Sequence, residues 1–390
     1  MNYIFILWLM IILLIILLIK QLNINKNFIL CILFSIFIVL FVINIQKCTS
    51  AAIDGCKLWY KAVIPVTFPF LVICNLLISY DGISLYSKIL GPLICKPLGL
   101  SKNCSFPMVA SFLCGYPLGA KYSIDLWNLG YIDDSECQRL LNIASNAGPL
   151  FLIGSVGSAL LGNPKLGYLL LVGNYISSIL IGIITKKNRI ISKISHYDST
   201  NQKKINFGQA IKDAVSNGIN TTLSIGGFIV IFSVIISFIK DSTYIKHMFM
   251  CIENLLNITD GTLFPLFLGS IEMTNGCNLI SNLSISLPMK LGIISFLCSF
   301  SGLSVIAQIS SFMNNFKICY SKYIFLKLVQ GTFSFIITYF LINILPTTVT
   351  TSTLNLSYNI KPYVNILPII LLIILTLLLK IFYNLFFHSS

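Results

Sequence analysis

The stretch SFLCGYPLGAKYSIDL, residues 111–126, decides how this chain folds. The apolar run that enters it, residues 107–114, is too short to cross a bilayer, and Gly115, Pro117 and Gly119 then follow in quick succession. Because proline removes a backbone donor and glycine weakens a helix, a continuous helix is not expected here. Two structures remain open. One is a re-entrant hairpin whose tip exposes N–H groups suited to an anion, and the other is an ordinary turn outside the membrane.

The composition indicates a membrane protein. Apolar residues make up 56% of the sequence, charged residues make up 10%, and the mean hydropathy is +0.89. Such values are typical of a polytopic membrane protein. Residues 3–19 and 28–45 are apolar runs near the ~20 residues that a spanning helix requires, so both are predicted to span. No cleavage pattern follows the first run, which is expected to stay as an anchor.

The basic residues indicate topology. The formal charge is +14, but the 26 Lys and Arg residues are dispersed among short loops, with the main cluster between Lys186 and Lys204. This distribution argues against nucleic acid as a partner. It predicts a cytoplasmic linker at residues 185–206 that divides the chain in two.

The residue types that carry metal or catalytic chemistry are not arranged for it. The 12 cysteines form no Cys-x-x-Cys pair, and most lie in apolar runs as small hydrophobic residues. The three histidines are far apart, and the sequence has no His-Glu-x-x-His, phosphate-binding glycine loop or Gly-x-Ser-x-Gly motif. We therefore expect neither a metal site nor a resident cofactor, and the protein is not expected to be an enzyme.

The two sides of the linker resemble each other. A shift of 158 positions (210 minus 52) pairs Ala52 with Ala210 and Phe70 with Phe228 without a gap. An internal repeat of this kind is common in transporters, although two Ile-rich membrane segments can also align by chance. The predicted layout is N-terminal transmembrane helices at 1–46, a first repeat at 47–184, the linker at 185–206, a second repeat at 207–345, and a loop with a C-terminal transmembrane helix at 346–390.

Polar residues interrupt two further apolar segments. In ASNAGPLFLIG, residues 144–154, Pro149 strains the preceding helical turn beside Ser145 and Asn146, which predicts a kinked helix with polar groups at membrane depth. In FSGLSVIAQISS, residues 300–311, spacings of three and four place three polar residues on one helix face, namely Ser301, Ser304 and Gln308. Both features have architectural alternatives, a structural kink or hydrogen bonding to a neighbouring helix.

A single carboxylate lies in the corresponding segment of the second half. Glu272 in GSIEMTNGC follows an apolar run, and Pro265, Gly269 and Gly276 interrupt the segment as a second hairpin would. Because a buried carboxylate costs about 2.5–3.5 kcal/mol on insertion scales, Glu272 is expected to line a cavity, to bind a cation or proton, or to be protonated. The alternative is a solvated position at the membrane interface.

Four motifs carry a resemblance to a known family. They occur in the order GYPxGAK ending at Lys121, SNxxPLF from Ser145, ExTxG from Glu272 and FSGxSVxAQ ending at Gln308. With them the chain resembles the bacterial sporulation integral membrane proteins of the YlbJ type, which carry nucleoside-recognition Gate domains. The similarity covers most of residues 51–345.

The resemblance implies an all-helical polytopic fold that is distantly similar to concentrative nucleoside transporters. Two Gate-type repeats would place re-entrant hairpins and broken transmembrane helices around one site. The implied cargo is a small anion, dipicolinic acid, moved across the outer forespore membrane of a spore-forming bacterium. A membrane scaffold for spore-envelope assembly and a nucleoside transporter are the alternatives. The implied substrate site comprises Gly115, Tyr116, Pro117, Gly119, Lys121, Ser145, Asn146, Gly148, Thr274, Asn275, Gly276, Ser301, Ser304 and Gln308.

Two charged residues have predicted roles at this site. Helix N-termini at the hairpin tips, with Lys121 nearby, would favour the carboxylates of a ligand. Glu272 cannot attract a dianion directly. Its hypothesised role is to bind a coupling proton or cation, or a calcium ion that accompanies the ligand.

Overall fold

The structure, a computed structural model, describes residues 26–186, 206–256, 261–313, 316 and 318–344. Contacts divide the chain into Met1–Pro346, which contains all of these residues, and Thr347–Ser390, which contains none of them. The predicted spanning helix at 3–19, most of the predicted linker and the predicted C-terminal helix therefore lie outside the described residues.

Every regular element in this part of the chain is helical. The first half has π-helical turns at Trp59–Val63 and Leu150–Leu160 and a short 3-10 turn at Lys102–Cys104. Its α-helices are α1 Lys26–Ile43, α2 Ile45–Leu58, α3 Ile64–Ser79, α4 Gly82–Ile89, α5 Gly91–Leu98, α6 Ser105–Cys114, α7 Leu118–Asn128, α8 Asp134–Ile143 and α9 Pro164–Ile184.

The second half begins with a helix of 34 residues. Its described helices are α10 Phe207–Lys240, α11 Thr243–Leu256, α12 Leu263–Ile271, α13 Met273–Ser281, α14 Leu287–Phe300, α15 Gly302–Ser311 and α16 Tyr320–Ile344.

The helices confirm the all-helical polytopic class. Within the described ranges, four stretches are long and apolar enough to span a membrane, namely α9, α10, Leu287–Ser311 and α16. Two bent pairs raise the number to six if each pair counts as one span: α1 turns by 100° into α2, and α3 turns by 90° into α4. The apolar run predicted at 28–45 corresponds to α1, which ends at Ile43.

Helix boundaries follow local chemistry. Asp133 caps α8 by accepting a hydrogen bond from the backbone N–H of Glu136 at 2.8 Å. Asn163 caps α9 in the same way through the N–H of Lys165 at 2.9 Å, and Pro164 occupies the first turn, where its missing donor does no harm. These caps fix the ends of two helices that carry the site.

The two halves have the same order of elements. In the first half a hairpin, α6 and α7, precedes a helix broken between α8 and the π-helical segment Leu150–Leu160, and α9 follows. In the second half the hairpin is α12 and α13, the broken helix is α14 and α15, and α16 follows. The helices α2 and α3 pack against α10, and α9 packs against α16. This is the order that an internal repeat predicts, and the repeat itself stays a prediction.

The hydrophobic core mixes the two halves. One buried cluster joins residues of α4–α8 to Val305, Ile306 and Ile309 of α15. The other joins Leu152 and Val156 of the π-helical segment to residues of α9, α13 and α14. The piece of chain that follows each helix break thus packs on the opposite half, so the breaks lie where the two clusters meet.

Candidate functional site: a polar centre between chain breaks

Four breaks in the helices define the candidate site. We call residues 115–117 the first hairpin tip, residues 144–148 the first helix break, Glu272 the second hairpin tip and Ser301 the second helix break. All four correspond to interruptions that the sequence predicted. Their contacts decide whether they form one site.

The first hairpin tip lies directly on the first helix break. Gly115 has a φ of +82°, and a Cβ built on it would lie 2.3 Å from the backbone nitrogen of Gly148. A Cβ on Gly119, the second residue of α7, would lie 2.1 Å from the carbonyl oxygen of Ala144. Only glycine permits these approaches, so Gly115, Gly119 and Gly148 bring backbone against backbone.

Asn146 organises the first helix break. Its Nδ2 donates to the hydroxyl of Ser111 on α6 at 3.1 Å, and its Oδ1 accepts from Nε2 of Gln330 on α16 at 2.9 Å. All three side chains are buried. The break is therefore connected both to the first hairpin and to the last described helix of the second half.

Lys327 on α16 is a charged residue that the sequence analysis missed. Its side chain is fully buried, and Nζ donates to the carbonyl oxygen of Ser145 and to Oε1 of Gln330, the latter at 2.8 Å. Nζ also lies 5.8 Å from the ring centre of Tyr116. The ion pairs among the described residues do not include Lys327, so its amine has no carboxylate partner there.

Tyr116 joins the first hairpin tip to the second half. Its hydroxyl donates to the carbonyl oxygen of Cys298 at 2.5 Å, and the carbonyl oxygen of Ser299 lies 3.4 Å away. The hydroxyl of Ser299 in turn accepts from Nδ2 of Asn174 on α9 at 2.8 Å. The hairpin tip thus binds the last turn of α14, immediately before the second helix break.

The second helix break rests on the second hairpin. Ser301 and Gly302 have φ values of +77° and +75°, and a Cβ on Gly302 would lie 3.2 Å from the carbonyl oxygens of Gly269 and Ile271. Two polar residues follow on α15, Ser304 and Gln308, and both are buried. Neither side chain forms a hydrogen bond with another described residue. They are polar groups that a ligand could use.

Glu272 caps the second arm of the hairpin. Its Oε1 accepts from the N–H of Thr274 at 2.9 Å, and its Oε2 accepts from the N–H and from Nδ2 of Asn275, both at 2.9 Å. Gly276 allows α13 to cross α12 closely. Any larger residue at this position would place a Cβ 2.2 Å from the Cα of Gly269. Glu272 is buried, and N–H groups at a helix N-terminus stabilise its carboxylate.

A pair of cysteines connects the second hairpin to the rest of the site. The Sγ atoms of Cys277 on α13 and Cys298 on α14 are 3.7 Å apart and fully buried. Cys298 also supplies the carbonyl oxygen that Tyr116 binds. The contacts therefore run without interruption from the second hairpin through α14 to the first hairpin tip, the first helix break and Lys327.

Some of the predicted residues meet at the first hairpin tip and the first helix break. Gly115, Tyr116, Ser145, Asn146 and Gly148 meet directly, and Pro117 belongs to the same tip. Lys121 does not contribute a free charge, since it pairs with Asp125 on its own helix at 2.7 Å. The amine that contacts the first helix break is that of Lys327, which donates to the Ser145 carbonyl.

A pattern in α16 could have revealed Lys327. Polar residues recur at spacings of three and four along an otherwise apolar helix and share one buried face: Tyr323, Lys327, Gln330, Ser334 and Thr338. The hydroxyl of Tyr323 lies 3.1 Å from that of Ser145. A charged residue on such a stripe in a spanning helix is a functional candidate by default.

An open apolar groove of about 350 Å³ lies between α11, α12, α14 and α16. Its walls include Ser270, Phe300 and Leu328, which are close in sequence to Glu272, Ser301 and Lys327, respectively. The residues that line this groove do not include Glu272, Ser301 or Lys327.

Fold and site together define a polytopic membrane protein whose hairpins and broken helices meet at a buried polar centre. Residues 60–139 match the family model Gate, described as nucleoside recognition. The chain is also 26% identical over 310 residues to the sporulation integral membrane protein YlbJ of Bacillus subtilis (strain 168), covering 74% of this chain and 76% of that protein. These matches confirm the resemblance drawn from the four motifs. No solved structure matches the chain.

Proposed function

We propose that the protein is a membrane transporter for a small anionic solute. The observation that carries this proposal is the buried polar centre at which two hairpins and two broken helices from both halves are in contact. Irregular backbone at membrane depth is tolerated only where it is buried in protein or lines a cavity. Transporters place such discontinuous helices around their substrate.

The charge of the centre supports an anion as the solute. Lys327 contributes a buried amine that is positively charged when it holds a proton, and its partners, the Ser145 carbonyl and Gln330, are neutral. Removing a charge from water without an opposite charge beside it is costly, and a bound carboxylate would offset that cost. Ser304 and Gln308 add hydroxyl and amide groups that can bind a second polar end of the solute.

Dipicolinate is the specific solute that we propose. It is a flat pyridine ring with two carboxylates, so one carboxylate could pair with Lys327 while the ring contacts Tyr116, whose ring centre lies 5.8 Å from Nζ. The name of the Bacillus relative refers to sporulation, and the resemblance implies this cargo. The corresponding location is the outer forespore membrane of a spore-forming bacterium.

A nucleoside is the second candidate solute. The Gate match, described as nucleoside recognition, favours it, as does the supply of uncharged donors and acceptors on Asn146, Ser304 and Gln308. A nucleoside has no negative charge that could pair with a protonated Lys327. The charge therefore favours the anion.

Uptake into vesicles tests the proposal. Purified protein reconstituted in liposomes is expected to take up labelled dipicolinate with saturable kinetics that excess nucleoside does not inhibit. Lys327→Met should abolish uptake. Lys322→Met, which removes an exposed lysine from the same helix, should leave it unchanged. Absence of saturable flux would favour a scaffold, and flux of nucleosides alone would identify a nucleoside transporter.

A further inference from the structure

We infer that Lys327 takes up a proton when the anion binds and releases it when the anion leaves, so that this amine couples proton movement to solute movement. The inference rests on the proposed function and specifies how its site balances charge. It begins from the surroundings of the amine. Lys327 is fully buried, and the groups within reach of Nζ are the Ser145 carbonyl, the Gln330 amide and the face of the Tyr116 ring.

The titratable groups nearest to Lys327 are neutral at physiological pH in their ordinary state. Tyr116 belongs to the first hairpin tip and Tyr323 to the same helix as Lys327. On the packed helices, the Tyr175 hydroxyl of α9 donates to the Phe112 carbonyl, and the Cys298 thiol of α14 lies against that of Cys277. None of them supplies a counter-charge.

The charged residues of the packed helices are engaged elsewhere. Lys165 of α9 is exposed at the start of that helix. On α8 and α14 each charged group has another partner: Asp134 is bound by Trp127, Glu136 by Ser101, Arg139 by Leu98 and Lys290 by Ser281. A neutral amine can keep its hydrogen bonds to Ser145 and Gln330, whereas an ammonium in these surroundings carries an uncompensated charge.

A carboxylate changes this balance. When an anion lies beside Nζ, the ammonium gains an opposite charge in a poorly solvated site, where the attraction is strong. Anion binding and proton binding at Lys327 therefore favour each other, and the coupling is reciprocal. The proton comes from water on the loading side, resides on Nζ while the anion is bound, and returns to water on the release side.

Glu272 is less suited to carry the coupling proton. Three N–H groups already bind its two carboxylate oxygens at 2.9 Å, so its negative charge is stabilised without a cation or proton. The coupling role that the sequence suggested for Glu272 passes to Lys327 in this inference. With dipicolinate as the cargo, one proton lowers the charge carried across the membrane from two negative charges to one.

Proton uptake on binding tests the inference. Dipicolinate is added at pH 7.5 to purified protein in a weakly buffered solution with a pH indicator, while binding is measured by isothermal calorimetry. Dipicolinate is fully ionised at this pH, so uptake reports on the protein. We expect about one proton taken up per anion bound. Lys327→Arg, which keeps the charge permanently, should bind the anion without proton uptake.

The controls separate the inference from the proposed function. Lys322→Met should behave as the unaltered protein, and Lys327→Met should bind dipicolinate roughly thirtyfold more weakly or worse. Elution as a single species on size exclusion shows that each variant is folded. Binding without proton uptake in the unaltered protein, or uptake that persists in Lys327→Arg, would overturn the inference while the transporter stands. If dipicolinate does not bind to the folded protein, both the inference and the proposed function are wrong.

Discussion

The hydroxyl of Tyr116 donates a hydrogen bond to the carbonyl oxygen of Cys298 at 2.5 Å, across 182 residues of sequence. The carbonyl belongs to the last turn of α14, where the helix ends at Phe300 and its carbonyl groups lack partners within the helix. Tyr116, at the hairpin tip of the first half, thus supplies a donor to a carbonyl group at the end of a broken helix in the second half. The two breaks are held in one place by this contact.

Removal of the hydroxyl should loosen that connection. Tyr116→Phe keeps the ring beside Lys327 but leaves the Cys298 carbonyl without its donor, at an expected cost of about 1–3 kcal/mol. The apparent melting temperature of the purified protein in nanodiscs should fall. Tyr168→Phe, whose side chain is 57% exposed, is the control and should not change it. An equal effect of both variants would contradict the role given to Tyr116.

The contact between Gly115 and Gly148 should not tolerate a side chain. Gly115→Ala introduces a Cβ 2.3 Å from the Gly148 nitrogen at a φ of +82°, so backbone must move, and a loss above about 3 kcal/mol is expected. Gly130→Ala is a matched control, since its φ is +75° and nothing lies within 4 Å of the new Cβ. It should cost only about 1–2 kcal/mol of conformational strain. Similar yields and melting temperatures for the two variants would argue against close packing at the tip.

The carboxylate of Glu272 should act mainly on the stability of the second hairpin. Glu272→Gln keeps one acceptor oxygen but loses the charge that two backbone N–H groups and Asn275 stabilise, so a loss of about 0.5–2 kcal/mol is expected. Proton uptake on anion binding should persist in the folded variant. If uptake disappears in Glu272→Gln and survives in Lys327→Arg, the coupling proton belongs to Glu272.

A carboxylate introduced beside Lys327 should compete with the ligand. Gln330→Glu places an acid where Oε1 now accepts from Nζ at 2.8 Å, so Lys327 gains an internal counter-ion. Dipicolinate binding should weaken by about tenfold or more, because the ligand loses the charge pair with Lys327. Gln330→Met removes the amide without adding charge and controls for the lost bond to Asn146. Calorimetry that finds the same affinity for both variants would contradict an anion site at Lys327.

Local sequence patterns predicted where the chain breaks. Gly115 and Pro117 indicated the first hairpin, the Ser-Asn pair before Pro149 indicated the first helix break, and Ser301 marked the second. Each signal is local, because it depends on backbone conformation or on a missing donor within a few residues. The polytopic helical class followed from the composition of the whole chain, in which apolar residues dominate and charged residues are few.

Residue roles depended on contacts that no local pattern specifies. The bond between Lys327 and Ser145 spans 182 residues, and neither residue type predicts the other. The sequence assigned the binding charge to Lys121, although Asp125 four residues later already offered it a helical partner. The sequence did not predict that Glu272 caps a helix, because the usual capping residues are Ser, Thr, Asp and Asn.

Binding of a solute at the polar centre is the central claim, and ligand-dependent thermal stabilisation tests it most directly. Because a ligand that binds only the folded protein stabilises it by mass action, dipicolinate at a hundred times its dissociation constant should add about 2.7 kcal/mol. We expect dipicolinate to raise the melting temperature of the unaltered protein and of Lys322→Met, and to raise that of Lys327→Met much less. A protein that dipicolinate and nucleosides leave unchanged, or an equal rise in Lys327→Met, would contradict the account.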